Sequence, residues 1–301
     1  MELQTTYKET EVGTIPTDWN VEAIEDVATV IRGASPRPKG DPRYYGGEVP
    51  RLMVEDVTRD GKYVTPRVDF LTKEGAKRSR PCEKGTLTIV CSGVVGVPSF
   101  LAVDACIHDG FLALVNLKDR VHDDYLYHLL ESQRLRFDSS ATHGGVFTNL
   151  TTSILRRFKI PLPPLPEQRA IADALSDVDA LIDRLDALIA KKRNVKTATM
   201  QRLLTGQERL PGFEGEWRDR ELGEVVKIVN GGTPDSENKN YWGGDIQWCT
   251  PTDITKTSGK YLGETERQIT KPGLSSCSAS LLPAGALLLC SRATIGEVKI
   301  A

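Results

Sequence analysis

Positively charged side chains are concentrated in two segments of the first half of this chain. The first segment contains Arg37, Lys39, Arg43 and Arg51. The second contains Lys77, Arg78 and Arg80. A guanidinium can bond two acceptor atoms of guanine at once and lysine binds phosphate oxygens, so both segments are candidates for contact with DNA. The alternative is that both are solvated loops, because a run of charge is usually exposed to water.

Polar and aromatic residues outside those segments offer the same kind of contact. The candidates are Ser92, Thr148, Asn149, Lys239, Trp248 and Arg292. An amide such as Asn149 can read adenine or bind phosphate, but it can equally cap the segment that follows it. His143 has no Cys or His partner at metal-ligand spacing, so we interpret it as neither a metal ligand nor a catalytic residue.

Motifs for catalysis are absent from the sequence. It contains no Gly-x-x-x-x-Gly-Lys-(Ser/Thr) loop, no Gly-x-Gly-x-x-Gly segment and no Asn-Pro-Pro-Tyr type segment of an adenine methyltransferase. Pro234-Asp235 with Glu237 resembles a nuclease metal site only superficially, and we interpret it as a turn. The 6 cysteines include no Cys-x-x-Cys pair, which indicates reduced thiols. The sequence predicts no catalytic residue, no metal site and no cofactor bound by this chain.

The charge balance limits how this chain can bind nucleic acid. Its 301 residues carry 39 Lys and Arg against 41 Asp and Glu, a net charge of −2. This excludes binding through bulk positive charge but allows local basic surfaces. The longest apolar run, 281–290, is interrupted by Pro283 and Gly285 and is far shorter than the roughly 20 residues of a membrane helix. With no secretory signal pattern at its N-terminus, the chain is expected to be cytoplasmic.

The chain repeats itself at an offset of about 198 residues, far longer than solenoid repeats, so each copy is a domain. Aligned pairs include Trp19 with Trp217, Gly33 with Gly231, Tyr44 with Tyr241, Asp56 with Asp253, Thr72 with Thr270 and Gly96 with Gly296. The shared Tyr and Gly-Gly residues indicate folding roles, whereas the basic residues that do not recur are assigned to contact. Ala301 aligns with Leu101, so the second copy ends partway, which we interpret as a truncation or as a need for another molecule.

Each copy has the pattern of a strand-rich α+β domain. Glycine-rich turns separate short runs rich in β-branched residues, such as 86–91 and 93–97, which predict strands. A helix is expected over 123–137, where Tyr127, Leu130 and Leu135 share an apolar side. The predicted domains are 1–160 and 207–301, with a stiff exit and a long spacer helix over 161–206.

The spacer is predicted from its composition. Residues 160–166 contain four prolines, which bar an α-helix and hold the backbone extended. Residues 167–204 contain neither Pro nor Gly, and Gly206 stands where a helix would end. An apolar stripe for binding a partner consists of Ile171, Leu175, Val178, Ile182, Leu185 and Ile189. A coiled-coil-type helix of roughly 57 Å exceeds a domain of this size, so its stripe needs a partner helix.

Three features together resemble the specificity subunit of a type I restriction-modification enzyme. They are the opening segment 13–19, the Tyr-(Tyr/Trp)-Gly-Gly turn of both copies and the Leu-Pro-Glu-Gln-x-x-Ile-Ala segment at 165–172. The last is the most specific marker, and the resemblance covers nearly the whole chain. The predicted fold class is accordingly α+β, with two similar strand-rich target-recognition domains separated by a long helix.

The resemblance implies a non-catalytic subunit whose two domains each read half of a bipartite site in double-stranded DNA. An antiparallel pair of long helices would set the gap and bind the modification (methyltransferase) subunits. S-adenosylmethionine, ATP and Mg would be bound by those subunits and by the restriction subunit. The second long helix is missing from this sequence, and self-association through the spacer helix would supply it.

Two other functions are consistent with parts of the pattern. A helical scaffold would assemble partner subunits without reading DNA sequence, but such a protein has no use for duplicated domains. An enzyme acting on DNA by itself would need the catalytic motifs that the sequence lacks.

Overall fold

The computed structural model describes residues 6–140 and 149–301, with side chains placed for all of these except 138–140. These residues form two compact units that divide between 199 and 200. The division lies inside the long helix, whereas the predicted boundary follows it. No helix in the described ranges is both long and apolar enough to cross a bilayer.

The first unit is a strand-rich α+β domain. Its strands are β1 (Tyr7–Thr10), β2 (Gly13–Pro16), β3 (Asn20–Ala23), β4 (Thr29–Arg32), β5 (Tyr45–Leu52), β6 (Tyr63–Val64), β7 (Asp69–Leu71), β8 (Arg80–Cys82), β9 (Leu87–Val90), β10 (Pro98–Leu101), β11 (Ala105–Ile107), β12 (Phe111–Val115) and β13 (Lys159–Leu162). Its helices are α1 (Ile24–Val27), α2 (Val54–Asp60), α3 (Lys73–Lys77), α4 (Asp123–Ser132), α5 (Arg134–Ser140), α6 (Thr152–Arg157) and α7 (Leu165–Leu204).

Two sheets form the centre of this unit. The larger has the order β4-β12-β9-β10-β6 and the smaller β7-β5-β11-β8. Strand β12 is continuously apolar because both of its faces are buried. Phe111 and Ala113 belong to one core cluster, while Leu112 and Leu114 belong to the other. Side chains alternate between the faces of a strand, so both faces of the larger sheet are buried here.

Two local predictions in this unit are wrong. Residues 93–97 form a turn rather than a strand, because Gly93 and Gly96 adopt φ angles of +84° and +85°, which favour glycine and break a strand. The helix expected over 123–137 ends at Ser132, and a second helix starts at Arg134. Leu135 is 85% exposed, so it does not share the buried side of α4.

The exit from the domain has the predicted extended form. Strand β13 pairs antiparallel with β3, with Ile160 opposite Glu22. The long helix α7 then begins at Leu165, two residues before the predicted start, and ends at Leu204 as expected. Proline is tolerated in a first turn, where no intrahelical donor is needed, so Pro166 lies inside α7.

The second unit contains fewer elements. They are α8 (Leu222–Val225), a 3-10 turn (Lys239–Tyr241), β14 (Trp242–Trp248), α9 (Pro251–Lys256), β15 (Arg267–Ile269), α10 (Lys271–Ser275), β16 (Leu287–Leu289) and β17 (Val298–Ile300). Strand β14 pairs with β15, and β16 with β17.

The repeat is visible in equivalent hydrogen bonds. The Thr72 side chain caps α3 by accepting from the Gly75 N–H at 3.0 Å, and Thr270 caps α10 by accepting from the Gly273 N–H at 3.1 Å. The pairing of β5 with β7 and that of β14 with β15 carry the same irregularity, in which one residue opposes two on the longer strand.

A buried carboxylate organises the same loop in both units. Asp56 accepts hydrogen bonds from the backbone N–H groups of Met53 and Arg67, at 3.1 and 2.8 Å. Its counterpart Asp253 accepts from two N–H groups at the equivalent places, both at 2.8 Å. Two similar strand-rich α+β domains with a long helix between them in the sequence are therefore confirmed as the fold class.

Candidate nucleic-acid interface

The two basic segments of the first unit form one surface around the buried ring of Tyr44. The guanidinium groups of Arg43 and Arg78 lie 5.3 and 4.7 Å from the centre of that ring. The Thr72 hydroxyl donates to the Arg43 carbonyl at 2.6 Å, and the Thr72 N–H donates to the Tyr44 carbonyl at 2.9 Å. These contacts hold the segment from α3 to Arg78 against the loop that follows β4.

Arg43 and Arg80 are exposed, although the fold already uses part of their hydrogen-bonding capacity. Arg43 is ion-paired with Asp41 at 2.7 Å, and its hydrogen bonds lower the pKa of that carboxyl. Arg80 donates through Nε to the Arg32 carbonyl at 3.2 Å. Both remain candidates for contact, because neither is buried.

In the first unit, Lys39 and Lys77 are the exposed candidates whose charges take least part in interactions within the protein. Within the described ranges, neither ammonium group has an ion pair or a hydrogen bond. Among the described residues, Arg37 is ion-paired with Asp109 alone, at a long 3.7 Å; the Arg37 side chain is largely exposed and that of Asp109 is about half exposed. Exposed pairs of this kind contribute little stability, so the Arg37 charge is also free for a ligand.

Arg51 occupies a different environment from the one predicted. It is 4% exposed, and its guanidinium is ion-paired with Asp69 at 2.5 Å and donates to the Ser35 hydroxyl at 3.3 Å. The guanidinium also lies over the Tyr45 ring at 5.1 Å. This burial is at odds with a DNA contact, and we correct the assignment: Arg51 holds β5, β7 and the loop after β4 together.

Loops at one end of the larger sheet meet beside the basic surface. The Gly33 N–H, after β4, donates to the Phe111 carbonyl at 3.0 Å, at the start of β12. The Cys91 N–H, after β9, donates to the Gly110 carbonyl at 2.8 Å. The loops that carry Arg37 and Ser92 therefore leave the same end of the sheet.

Ser92 and Asn149 are brought together although they are far apart in the sequence. They form an antiparallel bridge, and both are half-buried. The next residue, Leu150, donates through its N–H to the Cys91 carbonyl at 2.9 Å. Thr148 and His143, also considered above, lie outside the described residues.

A cation that the sequence did not single out lies in the same loop cluster. Arg32, the last residue of β4, is exposed and donates through Nε to the Asp109 carbonyl at 3.1 Å. The Asp109 carboxylate accepts from the Ser35 hydroxyl at 2.6 Å. No sequence signal distinguished Arg32, because its position next to Asp109 depends on the pairing of distant strands.

The candidates in the second unit are accessible to different degrees. Lys239 and Arg292 are exposed. Trp248 is half-buried, and its Nε1–H donates to the Gly232 carbonyl at 2.9 Å. The indole donor of Trp248 is therefore used within the fold, which leaves only its ring for a ligand.

The marker segment fixes the start of α7 to the first unit. Gln168 is fully buried; its Nε2 donates to the Arg120 and Pro163 carbonyls at 2.9 and 2.8 Å, and its Oε1 accepts from the His122 N–H at 2.8 Å. The neighbouring Glu167 accepts from the Trp19 indole at 3.0 Å. Glu167 and Gln168 therefore anchor the long helix to the first unit, a role that was not predicted from the sequence. Their position in the marker segment was the signal that could have indicated it.

Beyond this anchor, most of the apolar stripe of α7 is uncovered. Ile171 packs against the core of the first unit, so it is not part of the free stripe. The remaining members are between 42% and 53% exposed: Leu175, Val178, Ile182, Leu185 and Ile189. An apolar row of this length on a helix surface is typical of a helix that pairs with another one.

Two histidines of the first unit predict its response to acid. Burial lowers the pKa of His108, and burial together with Lys62 lowers the pKa of His128. The unfolded chain, with a histidine pKa near 6.5, then binds more protons than the folded one, so the free energy of unfolding falls as the pH falls through about 6.5. Urea unfolding at pH 7.5 and 5.5 measures this. Replacing both residues by Gln should remove most of the difference, and an unchanged difference in that variant would contradict the assignment.

Comparison with known proteins identifies the family. A family model described as the type I restriction modification DNA specificity domain matches residues 16–192 and 214–301. The chain belongs to this family. Each matched segment contains one copy of the repeat, and the expected family is confirmed.

Individual members of the family align over parts of the chain. The MjaIX specificity subunit of Methanocaldococcus jannaschii is 30% identical over 184 residues, which cover 60% of this chain and 42% of that protein. The EcoKI specificity subunit of Escherichia coli is 24% identical over 200 residues, covering 64% and 43%. The chain thus spans about half the length of such relatives.

Two solved structures match parts of this chain at low identity. The HsdS subunit from Thermoanaerobacter tengcongensis matches with a TM-score of 0.49 and 21% identity, covering 65% of this chain and 47% of that one. The S subunit from M. genitalium matches with a TM-score of 0.48 and 14% identity, covering 93% and 68%.

Proposed function

We propose that this chain recognises a bipartite sequence in double-stranded DNA as the specificity subunit of a type I restriction-modification complex in the cytoplasm. Each unit reads one half-site, and the chain directs modification (methyltransferase) and restriction subunits to the site. Those partners bind S-adenosylmethionine, ATP and Mg, whereas this chain binds none of them. The observation that carries the proposal is the pair of units with one shared framework and different exposed side chains.

The framework is shared where a fold requires it. The capping threonines Thr72 and Thr270 and the buried carboxylates Asp56 and Asp253 make the same hydrogen bonds in both units. Domains that read different sequences need the same scaffold with different contact residues, since sequence is read by a few side chains at base edges. The divergence of the basic residues supports this reading.

The long helix supports the bipartite part of the proposal. At 40 residues, α7 extends about 60 Å at 1.5 Å per residue. One turn of DNA is about 34–36 Å, so such a rod can set a gap of one to two turns between half-sites. The buried Gln168 and the Trp19–Glu167 hydrogen bond fix where this rod leaves the first unit.

A bind-and-sequence experiment tests the proposal. The chain, assembled with the modification subunits of its own system, is incubated with random duplexes, and bound DNA is sequenced. We expect two short motifs separated by an unread gap of constant length. Assembly of the complex without enrichment of any bipartite motif would defeat the proposal and favour the scaffold function.

Helix pairing is tested by Leu185→Asp. Leu185 is 49% exposed on the stripe, and an aspartate there would place a charge in any helix–helix contact, at a cost of several kcal/mol. We expect weaker self-association and weaker binding of the modification subunits, measured by analytical ultracentrifugation. Asp186→Asn, one position along on the exposed helix, is the control. If Leu185→Asp leaves both associations unchanged, the stripe is not an interface.

A further inference from the structure

Arg267, which the sequence did not single out, lies on an aromatic platform in the second unit. Its guanidinium carbon is 3.4 Å from the centre of the Trp242 ring and 5.5 Å from that of Trp248. The two indoles are 5.0 Å apart and nearly perpendicular, at 85°. A guanidinium at this distance from an indole face is held by cation–π attraction and stacking.

The guanidinium N–H donors of Arg267 have no acceptor in the described part of the chain: none of those residues accepts a hydrogen bond from them or forms an ion pair with the guanidinium. The adjacent carboxylate of Glu266 is paired with Lys256 at 2.9 Å. Arg267 is exposed, so a positive charge and a row of N–H donors stand at the surface on a fixed aromatic support.

At the equivalent positions of the first unit, the arginine is neutralised by a carboxylate. Arg51 and Asp69 stand directly opposite each other on β5 and β7, and they neutralise each other at 2.5 Å. The equivalent pair on β14 and β15 is Trp248 opposite Arg267. In the first unit the arginine is on β5 and faces a carboxylate on β7, whereas in the second unit it is on β15, the equivalent of β7, and faces an aromatic ring on β14. The charge is therefore cancelled in the first unit and available in the second.

We propose that Arg267 is a DNA contact of the second unit, with its guanidinium donating to paired acceptor atoms of the ligand. Such atoms occur on the O6/N7 edge of guanine and on the phosphate group. Trp242 fixes the plane of the guanidinium before binding, which reduces the freedom lost on contact. The inference rests on the proposed function and names a DNA-contact residue for it.

The test compares three variants of the full chain, each assembled with the modification subunits. Arg267→Ala removes the contact, and Arg267→Lys keeps the charge but not the planar pair of donors. Arg220→Ala removes one exposed positive charge elsewhere in the same unit. Bind-and-sequence and the salt dependence of affinity are measured for each, and thermal unfolding checks that the second unit stays folded.

We expect Arg267→Ala to weaken binding about tenfold or more relative to Arg220→Ala. A guanine contact predicts that both Arg267 variants lose the preference for one base of the motif. A phosphate contact predicts a loss that is uniform across sequences, a salt slope smaller by about one and substantial rescue by Arg267→Lys. Equal affinity, motif and salt slope in Arg267→Ala and Arg220→Ala would overturn the inference. A wild-type complex that enriches no motif defeats the proposed function instead, and the affinities still decide whether Arg267 contacts DNA.

Discussion

Gly33→Ala is expected to destabilise the first unit by about 3 kcal/mol or more, because a methyl group has no room there. A Cβ at this position would lie 2.0 Å from the His108 carbonyl oxygen and 2.7 Å from that of Ile107. Both obstacles are backbone atoms, and the Gly33 N–H is itself bonded to the Phe111 carbonyl. The loop after β4 would therefore have to leave the end of the sheet, where the candidate contacts converge.

The second copy of the repeat provides the matched control. Gly231 aligns with Gly33, yet a Cβ on Gly231 would meet nothing within 4 Å. Gly231→Ala is expected to change the free energy of unfolding by no more than about 0.5 kcal/mol. Urea unfolding gives the energies, and hydrogen exchange in β4 and β12 locates the effect. An equal loss of unfolding free energy in the two variants would show that the close backbone contacts of Gly33 are not the cause of the destabilisation.

Features with a local or long-period signal could be predicted from the sequence. The repeat was visible because identical residues recur at nearly constant offsets, and the absence of Pro and Gly over 167–204 predicted the C-terminal end of α7 and its start to within two residues. The α+β fold class followed from short β-branched runs and frequent turns. These signals do not depend on which strands pair.

The accessibility of single residues could not be predicted in this way. Arg51 looked like its basic neighbours, but pairing of β5 with β7 places Asp69 opposite it and buries both the charge and the side chain. The residues next to Arg267 in the sequence did not indicate a binding role. The two rings that support it, Trp242 and Trp248, come close only through the pairing of β14 with β15. Cross-strand register therefore decides which arginine is structural and which is available.

Two lysines of the first unit, Lys39 and Lys77, are the contacts whose removal is expected to affect DNA affinity most. Lys39 and Lys77 are exposed and have no ion pair within the described ranges, so binding a phosphate breaks no interaction inside the protein. In a chain with a net charge of −2, affinity must come from a few such positions. Each one that neutralises a phosphate releases a counterion and contributes about 0.9 to the slope of log affinity against log salt.

Lys39→Glu combined with Lys77→Glu is therefore expected to weaken binding of the assembled complex about 100-fold near 0.1 M salt and to lower the salt slope by about two. The motif selected should stay the same, because phosphate contacts position the protein without reading bases. Lys84→Glu with Lys118→Glu makes the same change in charge at the opposite end of the larger sheet, where both lysines are exposed. Fluorescence anisotropy over a salt series measures all three complexes. Equal losses from the two double variants would mean that only net charge matters, whereas a loss confined to Lys39 and Lys77 would place the DNA at the end of the sheet that carries Ser92 and Asn149.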